Sequence, residues 1–348
     1  MIMHPKPKGV LIFLVGVCIL TCCSTGIGQI IPPGKKNDVR LWTGRWQTKG
    51  DASWQTSFAC GSGDCTSELE YHNIDASLLS LEIDVLHYAP LVGLNFLFAV
   101  APITNGQSQD TDYKNNRKTS ESRNPVDGRV DLWSLEGRMP LTNRPLTLFS
   151  KQNTGPILSW QWQWILGAQH YQDSLRMYDG RPLIKSDTDS DTYNGGNQES
   201  PIPYNGRYFA WLDSHYNFTW NAIKIGFKST LNLTKSSIPL CHSLEIGGKV
   251  TPLLAHYLGE GIWNLRDDFA QNPSFRHKAY GYGLGAEIAI TYHPWQMIGF
   301  ELGWQYLFLT ANSGTDTTYY YSGEKGTAHL DEVRLLRNGW RIRSSISF

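Results

Sequence analysis

The sequence predicts an all-β protein, a ten-stranded antiparallel transmembrane β-barrel with long extracellular loops and short periplasmic turns. Three observations support this fold: long segments of alternating apolar and polar residues, short turns that alternate with long polar loops, and an N-terminal export signal. The 348-residue chain is rich in aromatic residues (13 Trp, 17 Tyr and 13 Phe) and contains 33 glycines. Basic and acidic residues balance at 31 each. This balance excludes a basic nucleic-acid-binding protein, so we expect no nucleic-acid partner.

The N-terminal segment has the pattern of a secretory signal. Lys6 and Lys8 precede an apolar run over 10–20, and small residues follow it. We therefore predict a signal peptide over 1–28 and a single outer-membrane barrel domain over 29–348. A buried N-terminal helix is the alternative. Removal of the two lysines leaves 29 basic and 31 acidic residues, a net charge of −2.

The cysteines suit an oxidising compartment. Cys60 and Cys65 bracket a short flexible segment that could close into a disulfide, and Cys241 is left as a lone thiol. Of the cysteines within the signal, Cys22 and Cys23 leave a lipoprotein signal open as an alternative. No histidine pair accompanies the cysteines, so we predict neither a zinc site nor a cofactor.

Alternation with a period of two recurs along the chain and predicts ten strands. Their spans are 39–49, 68–87, 91–101, 128–139, 156–177, 207–232, 243–258, 278–292, 296–310 and 329–348. In the last span Trp340 and Ile342 share one face, while Arg337, Arg341 and Arg343 share the other. Several spans run about 15 residues, longer than the 5–6 typical of soluble strands. Two soluble β-domains remain the alternative fold.

Long polar loops are predicted over 50–67, 102–127, 178–206, 259–277 and 311–328. The second of them contains Asp110 and Asp112, which face the same side if this segment is extended. Two adjacent carboxylates can share a proton or orient a water molecule, so the pair is a candidate catalytic site. The alternatives are a solvated loop or a loose calcium site. We interpret the run from Asp187 to Asp191 as a solvated loop tip.

Several segments resemble the omptins, the outer-membrane endopeptidases of Gram-negative bacteria. The similar segments are Ser67–Ala76, Pro90–Leu94, Asp110–Tyr113, Glu121–Pro125 and Gly281–Trp304. The third matches an acidic Asp-x-Asp-aromatic motif of the family, and the fourth is similar to the Glu-Ser-Arg-x-Pro stretch that follows it. The resemblance covers most of the chain after the signal, and similarity is weaker after residue 140.

The resemblance implies an outer-membrane barrel of a Gram-negative bacterium with an active-site groove at its outer rim. In this family a water molecule is activated between an Asp pair on one wall and a His-Asp couple on the other. The resemblance thus assigns the pair to Asp110 and Asp112 and implies a peptide or protein substrate. It also implies that outer-membrane lipid, including lipopolysaccharide, contacts the barrel wall.

The second catalytic couple of the family is not matched. The omptin couple has an Asp two residues before the His, whereas Leu254 stands in that position before His256. Alternation further predicts that His256 points outward. A second alignment places Asp268 at this height, and no His follows it two residues later; His277 could instead return to the groove.

Three functions remain open from the sequence. The first is a surface endopeptidase that uses Asp110 and Asp112, with Asp51 and Glu121 as candidate acids for binding basic side chains. The second is a non-catalytic barrel that binds a partner or has a structural role. The third is a narrow porin-like channel, suggested by lumen-facing Arg337, Arg341 and Arg343.

Overall fold

The computed structural model describes residues 39–61, 63–89, 92–141, 146–150, 157–184, 209, 211–234 and 241–348. The predicted signal peptide and the run from Asp187 to Asp191 lie outside these residues.

The described chain forms thirteen strands in one antiparallel sheet. They are β1 (Val39–Cys60), β2 (Gly63–Ala89), β3 (Val92–Lys114), β4 (Arg117–Pro140), β5 (Leu146–Ser150), β6 (Ile157–Tyr178), β7 (Arg181–Ile184), β8 (Asp213–Thr234), β9 (Ser243–Ile262), β10 (Phe275–Trp295), β11 (Ile298–Ala311), β12 (Gly314–Tyr319) and β13 (Lys325–Ser347).

Ten of the described strands close into a barrel in the order β1-β2-β3-β4-β6-β8-β9-β10-β11-β13. Pairing of β13 with β1, from Arg40 opposite Ser347 to Ser57 opposite His329, completes the ring. The three short strands extend hairpins: β5 pairs with β6, β7 with β4, and β12 with β10 and β13. The predicted ten-stranded antiparallel barrel is therefore confirmed. Closure leaves no edge along the ring, which a barrel in lipid requires.

Two of the five predicted long loops are wrong, because 50–67 and 102–127 are strands, and most of a third, 178–206, lies outside the described residues. The segments 50–67 and 102–127 form hairpins whose turns lie between Cys60 and Gly63 and between Lys114 and Arg117. Parts of 259–277 and 311–328 are also paired. These strands carry polar residues on the side that faces water, so their composition is that of a loop. We call the end formed by these hairpins the upper end, and the end with the short turns after Ala89 and Trp295 the lower end.

The outer surface of the lower half carries an apolar belt. Its members include Leu79, Leu81, Phe98, Leu135, Trp162, Trp164, Leu166, Ile223, Ile225, Ile246, Val250, Leu284, Ile288, Ile290, Phe300, Leu302, Trp340 and Ile342, all exposed. Their strand neighbours point inward, as Trp340 and buried Arg341 illustrate. Such a belt matches the lipid-facing band of a membrane barrel. The described residues contain no helix that is long and apolar enough to span a membrane.

Ion pairs fill much of the interior at the height of the belt. Arg138 contacts Asp84 and Glu136, and Lys224 also contacts Glu136 at 2.8 Å. A second group joins Arg341 to Glu287 and Glu301, and Arg343 to Glu82 and Glu301. Space of about 120 Å³ remains among these side chains. The lumen-facing orientation predicted for the β13 arginines is confirmed.

Two cysteine predictions can be checked directly. Cys60 and Cys65 form a disulfide across the β1–β2 turn, with Cα atoms 5.7 Å apart. Cys241 is a free, buried thiol just before β9.

Candidate functional site

A bulge in β3 turns Asp110 and Asp112 into the barrel. Below the bulge the inward residues are odd-numbered, and they include Ala101 and Ile103. The register with β4 then shifts between Ile103 and Gln107. Directly above this shift the buried residues are Gly106 and Ser108, so the inner face has changed to the even-numbered positions. An inserted residue reverses which side chains face inward. Asp110 and Asp112 therefore share the inner face at the upper end.

The strand neighbours of the two aspartates agree with this orientation. Asp110 lies opposite Leu69, which is fully buried, and residues directly opposite in an antiparallel pair share a face. On the other side Asp112 lies opposite Ser120, whose hydroxyl donates to Oδ2 at 2.8 Å. Both aspartates are partly buried. The sequence prediction that Asp110 and Asp112 project together is correct, whereas the loop that was expected to carry them is a hairpin.

The Asp pair holds a proton at neutral pH. Burial, strengthened by the adjacent Asp112 carboxyl and opposed by Arg266, raises the pKa of Asp110 to about 8. Both effects disfavour the charged form of a carboxyl. The pair therefore combines a proton donor with a second carboxyl group, the combination that water activation by paired carboxylates requires.

Arg266 reaches toward the Asp pair from the connection between β9 and β10. Its guanidinium donates to Asp268 at 2.8 and 2.7 Å and stacks over Phe269 at 4.1 Å. The same contact lowers the pKa of Asp268. The sequence analysis considered Asp268 for the second catalytic couple. In the structure its carboxylate instead accepts the hydrogen bonds from Arg266.

A buried His-Asp couple lies elsewhere in the upper half. Nε2 of His277 on β10 is 3.3 Å from Oδ1 of Asp316 on β12. The other ring nitrogen, Nδ1, lies 2.8 Å from the Tyr216 hydroxyl, and that hydroxyl is 2.5 Å from the hydroxyl of Tyr257. His277 is fully buried. Both of its ring nitrogens thus face protein groups.

An aromatic cluster surrounds this histidine; its members are Trp54, Tyr71, Tyr216, Phe218, Tyr257 and Phe275. The Trp54 ring lies edge-on to His277 at 4.9 Å, and Phe275 lies at 5.2 Å. Tyr71 joins the cluster through Phe218 at 5.6 Å. In the part of the chain that the structure describes, no histidine forms a hydrogen bond or ion pair with Asp110 or Asp112.

Three other predicted candidates lie on the outer face. His256 points outward beside Tyr280, as predicted, and its neighbour Leu254 is 68% exposed. Asp51 lies 3.7 Å from His72 on the outside of β1 and β2. Glu121 pairs with Lys118 at 2.7 Å and alternates with Ser120, which points inward. The idea that Asp51 and Glu121 line the groove is therefore wrong.

Sequence reasoning missed the coupling of His277 to Asp316 and the approach of Arg266. Each contact joins separate segments, and no local spacing signals it. Among the described residues, no cluster of three or more His, Cys, Asp or Glu side chains could hold a metal ion.

Comparisons with known proteins agree with the fold. A family model described as "Pom: Protochlamydia outer membrane protein" matches residues 44–344. No curated protein matches the sequence significantly. Among solved structures, the outer membrane protease OmpT from Escherichia coli aligns with a TM-score of 0.64 at 10% identity, over 89% of this chain and 97% of that chain. The translocator domain of the autotransporter NalP from Neisseria meningitidis aligns with a TM-score of 0.31 at 9% identity, over 96% and 95% of the two chains.

The OmpT alignment is a likeness of fold alone, because identity is only 10%. Together with the family description, it shows an outer-membrane β-barrel.

Proposed function

We propose that this chain, which belongs to the Protochlamydia outer membrane protein family, is an outer-membrane endopeptidase. Its catalytic residues are Asp110 and Asp112, whose side chains face the interior of the barrel. The observation that carries the proposal is the placement of Asp110 and Asp112 on the inner face at the upper end of the barrel, where burial and the adjacent carboxyl raise the pKa of Asp110. Perturbed carboxyl pairs of this kind are typical of sites that activate water.

Hydrolysis of a peptide bond needs a general base and a general acid, and the two carboxyl groups of the pair can each supply one of these roles. One carboxylate accepts a proton from a water molecule, whose oxygen attacks the peptide carbonyl carbon. The protonated Asp110 carboxyl donates its proton toward the carbonyl oxygen as negative charge develops there. Collapse of the tetrahedral intermediate breaks the C–N bond, the proton taken from water passes to the departing amine, and the proton on the former carbonyl oxygen returns to Asp110. Arg266 is placed to stabilise the negative charge.

This scheme differs from the omptin arrangement in its base. The omptin resemblance implies a His-Asp couple across the groove, but His277 is buried and contacts Tyr216 and Asp316. We therefore assign water activation to the Asp pair and a structural role to His277. The partners that we propose are an extended peptide at the upper end and outer-membrane lipid, including lipopolysaccharide, around the apolar belt.

The test uses the chain from residue 29, refolded in detergent with lipopolysaccharide and incubated with a mixed peptide library. We expect cleavage that Asp110→Asn reduces by about 100-fold or more, the range of a lost general acid or base. Asp131→Asn is the matched control, because Asp131 pairs with Arg129 on the outer face at 2.6 Å. His277→Gln separates the mechanisms. It preserves cleavage if the Asp pair acts alone and abolishes it if His277 is the base.

The second candidate function is a non-catalytic barrel that binds a partner or has a structural role. The burial of His277 within the aromatic cluster favours it. Absence of cleavage by a folded barrel, with and without lipopolysaccharide, would support this candidate over the endopeptidase. Equal cleavage by the wild type and Asp110→Asn would contradict the assignment of the Asp pair.

A further inference from the structure

A cluster of a serine, a histidine and an aspartate lies on the outer wall of the upper half. Nδ1 of His329 is 2.8 Å from Oδ1 of Asp331, both on β13. Nε2 of the same ring is 3.3 Å from Oγ of Ser313, in the turn between β11 and β12. Asp331 also accepts a hydrogen bond of 2.9 Å from the Ser57 hydroxyl. A carboxylate, an imidazole and a hydroxyl are thus connected in series.

The ring atoms are the ones that nucleophilic catalysis by serine needs. When Nδ1 carries the proton and donates it to Asp331, Nε2 is free to accept from the Ser313 hydroxyl. The separation of 3.3 Å between Ser313 and His329 is slightly longer than a tight hydrogen bond, as is common before substrate binds. Ser57 fixes the Asp331 carboxylate from the neighbouring strand.

The backbone around this cluster is irregular in two places. Ser313 has a φ of 107°, a left-handed value that a residue with a side chain rarely adopts. Asp331 is skipped in the pairing of β1 with β13, where Gln55 lies opposite Glu332 and Thr56 lies opposite Leu330. The Ser313 amide donates to the Asp331 carbonyl at 3.1 Å and ties the two irregular positions together. Strained nucleophiles and bulges are both frequent at functional sites.

This cluster is separate from the Asp pair. His329 neighbours Leu330, which is fully buried and faces inward, so the His329 side chain points outward and is 55% exposed. Asp110 and Asp112 face the interior.

We propose that Ser313, His329 and Asp331 form a serine acyl-transfer site that hydrolyses small acyl esters reaching it from solvent. Oγ of Ser313 attacks the ester carbonyl carbon while its proton moves to Nε2 of His329. The ester C–O bond then breaks, and the imidazolium returns the proton to the departing alkoxide. Water, deprotonated by His329, hydrolyses the acyl-serine and releases the carboxylic acid and free Ser313. Because the His329 side chain is 55% exposed to solvent, short activated esters are the class that we expect the site to accept.

The experiment measures hydrolysis of 4-nitrophenyl acetate by the refolded barrel and covalent labelling by a fluorophosphonate, with the labelled residue identified by mass spectrometry. We expect a label on Ser313 and an ester rate that Ser313→Ala and His329→Gln each lower by about 100-fold or more. Ser322→Ala is the matched control, because Ser322 is an exposed turn serine whose hydroxyl accepts from the Glu324 amide. Asp131→Asn on the outer face should also leave ester hydrolysis unchanged, and a label on Ser313 separates this site from the proposed endopeptidase.

The proposal is overturned if the label falls on other residues. It is also overturned if Ser313→Ala hydrolyses the ester as fast as the wild type and the control Ser322→Ala. Each variant is first checked for folding by its heat-dependent mobility in gel electrophoresis, so that loss of activity in a folded barrel reports on the site.

Discussion

Arg337 on β13 and Asp173 on β6 form a fully buried ion pair across the interior of the barrel. Nε of Arg337 donates to the Tyr171 hydroxyl at 2.8 Å, and this hydroxyl donates to Asp173 at 2.8 Å. Arg337 also donates to the carbonyl of Ile74 on β2 at 3.2 Å. One arginine thus connects three strands that are not neighbours in the ring. Both charged groups of this pair thus have polar partners in the interior, which a buried charge requires.

Loss of one partner of this pair should destabilise the barrel strongly. Arg337→Met leaves the Asp173 carboxylate buried without its cation, which costs about 3–5 kcal/mol. The measurement is urea unfolding of the refolded barrel, followed by tryptophan fluorescence. The double variant Arg337→Met with Asp173→Leu is the control and should recover most of the loss, because it leaves no unpaired charge. An unchanged unfolding midpoint for Arg337→Met would contradict the importance of this contact.

The layer formed by Arg337, Asp173 and Tyr171 also bears on whether the barrel is a narrow channel. Arg337 and Asp173 are both inaccessible to solvent, so we expect this pair to close the lumen to ions. We expect planar-bilayer recordings of the refolded barrel to show no conductance steps. Arg337→Ala with Asp173→Ala removes the pair and is the matched comparison. Regular steps from the wild-type protein would mean that the layer moves aside, and they would favour a channel function.

The sequence predicted the barrel well because alternation is a local property. Outward Trp340 and Ile342 against inward Arg341 follow directly from a period of two. The upper hairpins were not recognised, because strands with water on one side have the polar composition of loops. Segments such as 102–127 are held by pairing to neighbours far away in the chain, and no local pattern encodes that pairing.

The candidate site was predicted only in part. Asp110 and Asp112 lie two residues apart, so a common face was predictable. Which face they share depends on the bulge after Ile103, and the sequence does not mark that bulge. The partner of His277 could not be identified, because Asp316 reaches it through the pairing of β10 with β12.

Because the pKa of Asp110 is raised in the folded protein, we expect the stability of the barrel to depend on pH. The folded protein keeps this proton up to about pH 8, whereas an unfolded Asp has a pKa near 3.8. The native state therefore binds more protons than the unfolded state between these values, and stability falls as pH rises through them. Asp110→Asn removes this dependence. It should have little effect at pH 4 and stabilise the barrel by about 2–5 kcal/mol at pH 9.

Unfolding of the wild type and Asp110→Asn in urea at pH 4, 7 and 9 checks this prediction. Asp131→Asn on the outer face is again the control. A stability difference that stays constant over the three pH values would show that Asp110 titrates normally.

The apolar belt predicts where a charge is tolerated. Ile288 on β10 is 57% exposed and lies between Tyr282 and Tyr292, which mark the two edges of the belt on this strand. Ile288→Arg places a charge near the middle of the lipid-facing band and should cost about 2–4 kcal/mol. Tyr321→Arg is the control, because Tyr321 is 83% exposed in the turn at the upper end. Equal refolding yield and equal stability of the two variants in lipid vesicles would argue against this placement of the belt.

The bulge in β3 predicts the outcome of a single deletion. Thr104 and Asn105 are consecutive exposed residues, and the inward face changes from Ile103 to Gly106 across them. Removal of Asn105 should restore simple alternation, in which Ile103, Gly106, Ser108 and residue 110 all remain on the inner face. A cysteine at position 110 reports this orientation without any assumption about catalysis. In Asp110→Cys we expect slow reaction with a bulky maleimide, and the same variant lacking Asn105 should react equally slowly. The other thiols of the chain from residue 29 give little background, because Cys60 and Cys65 are paired and Cys241 is buried. Fast reaction of the folded variant that lacks Asn105 would mean that Thr104 and Asn105 do not form the bulge that sets the orientation of the Asp pair.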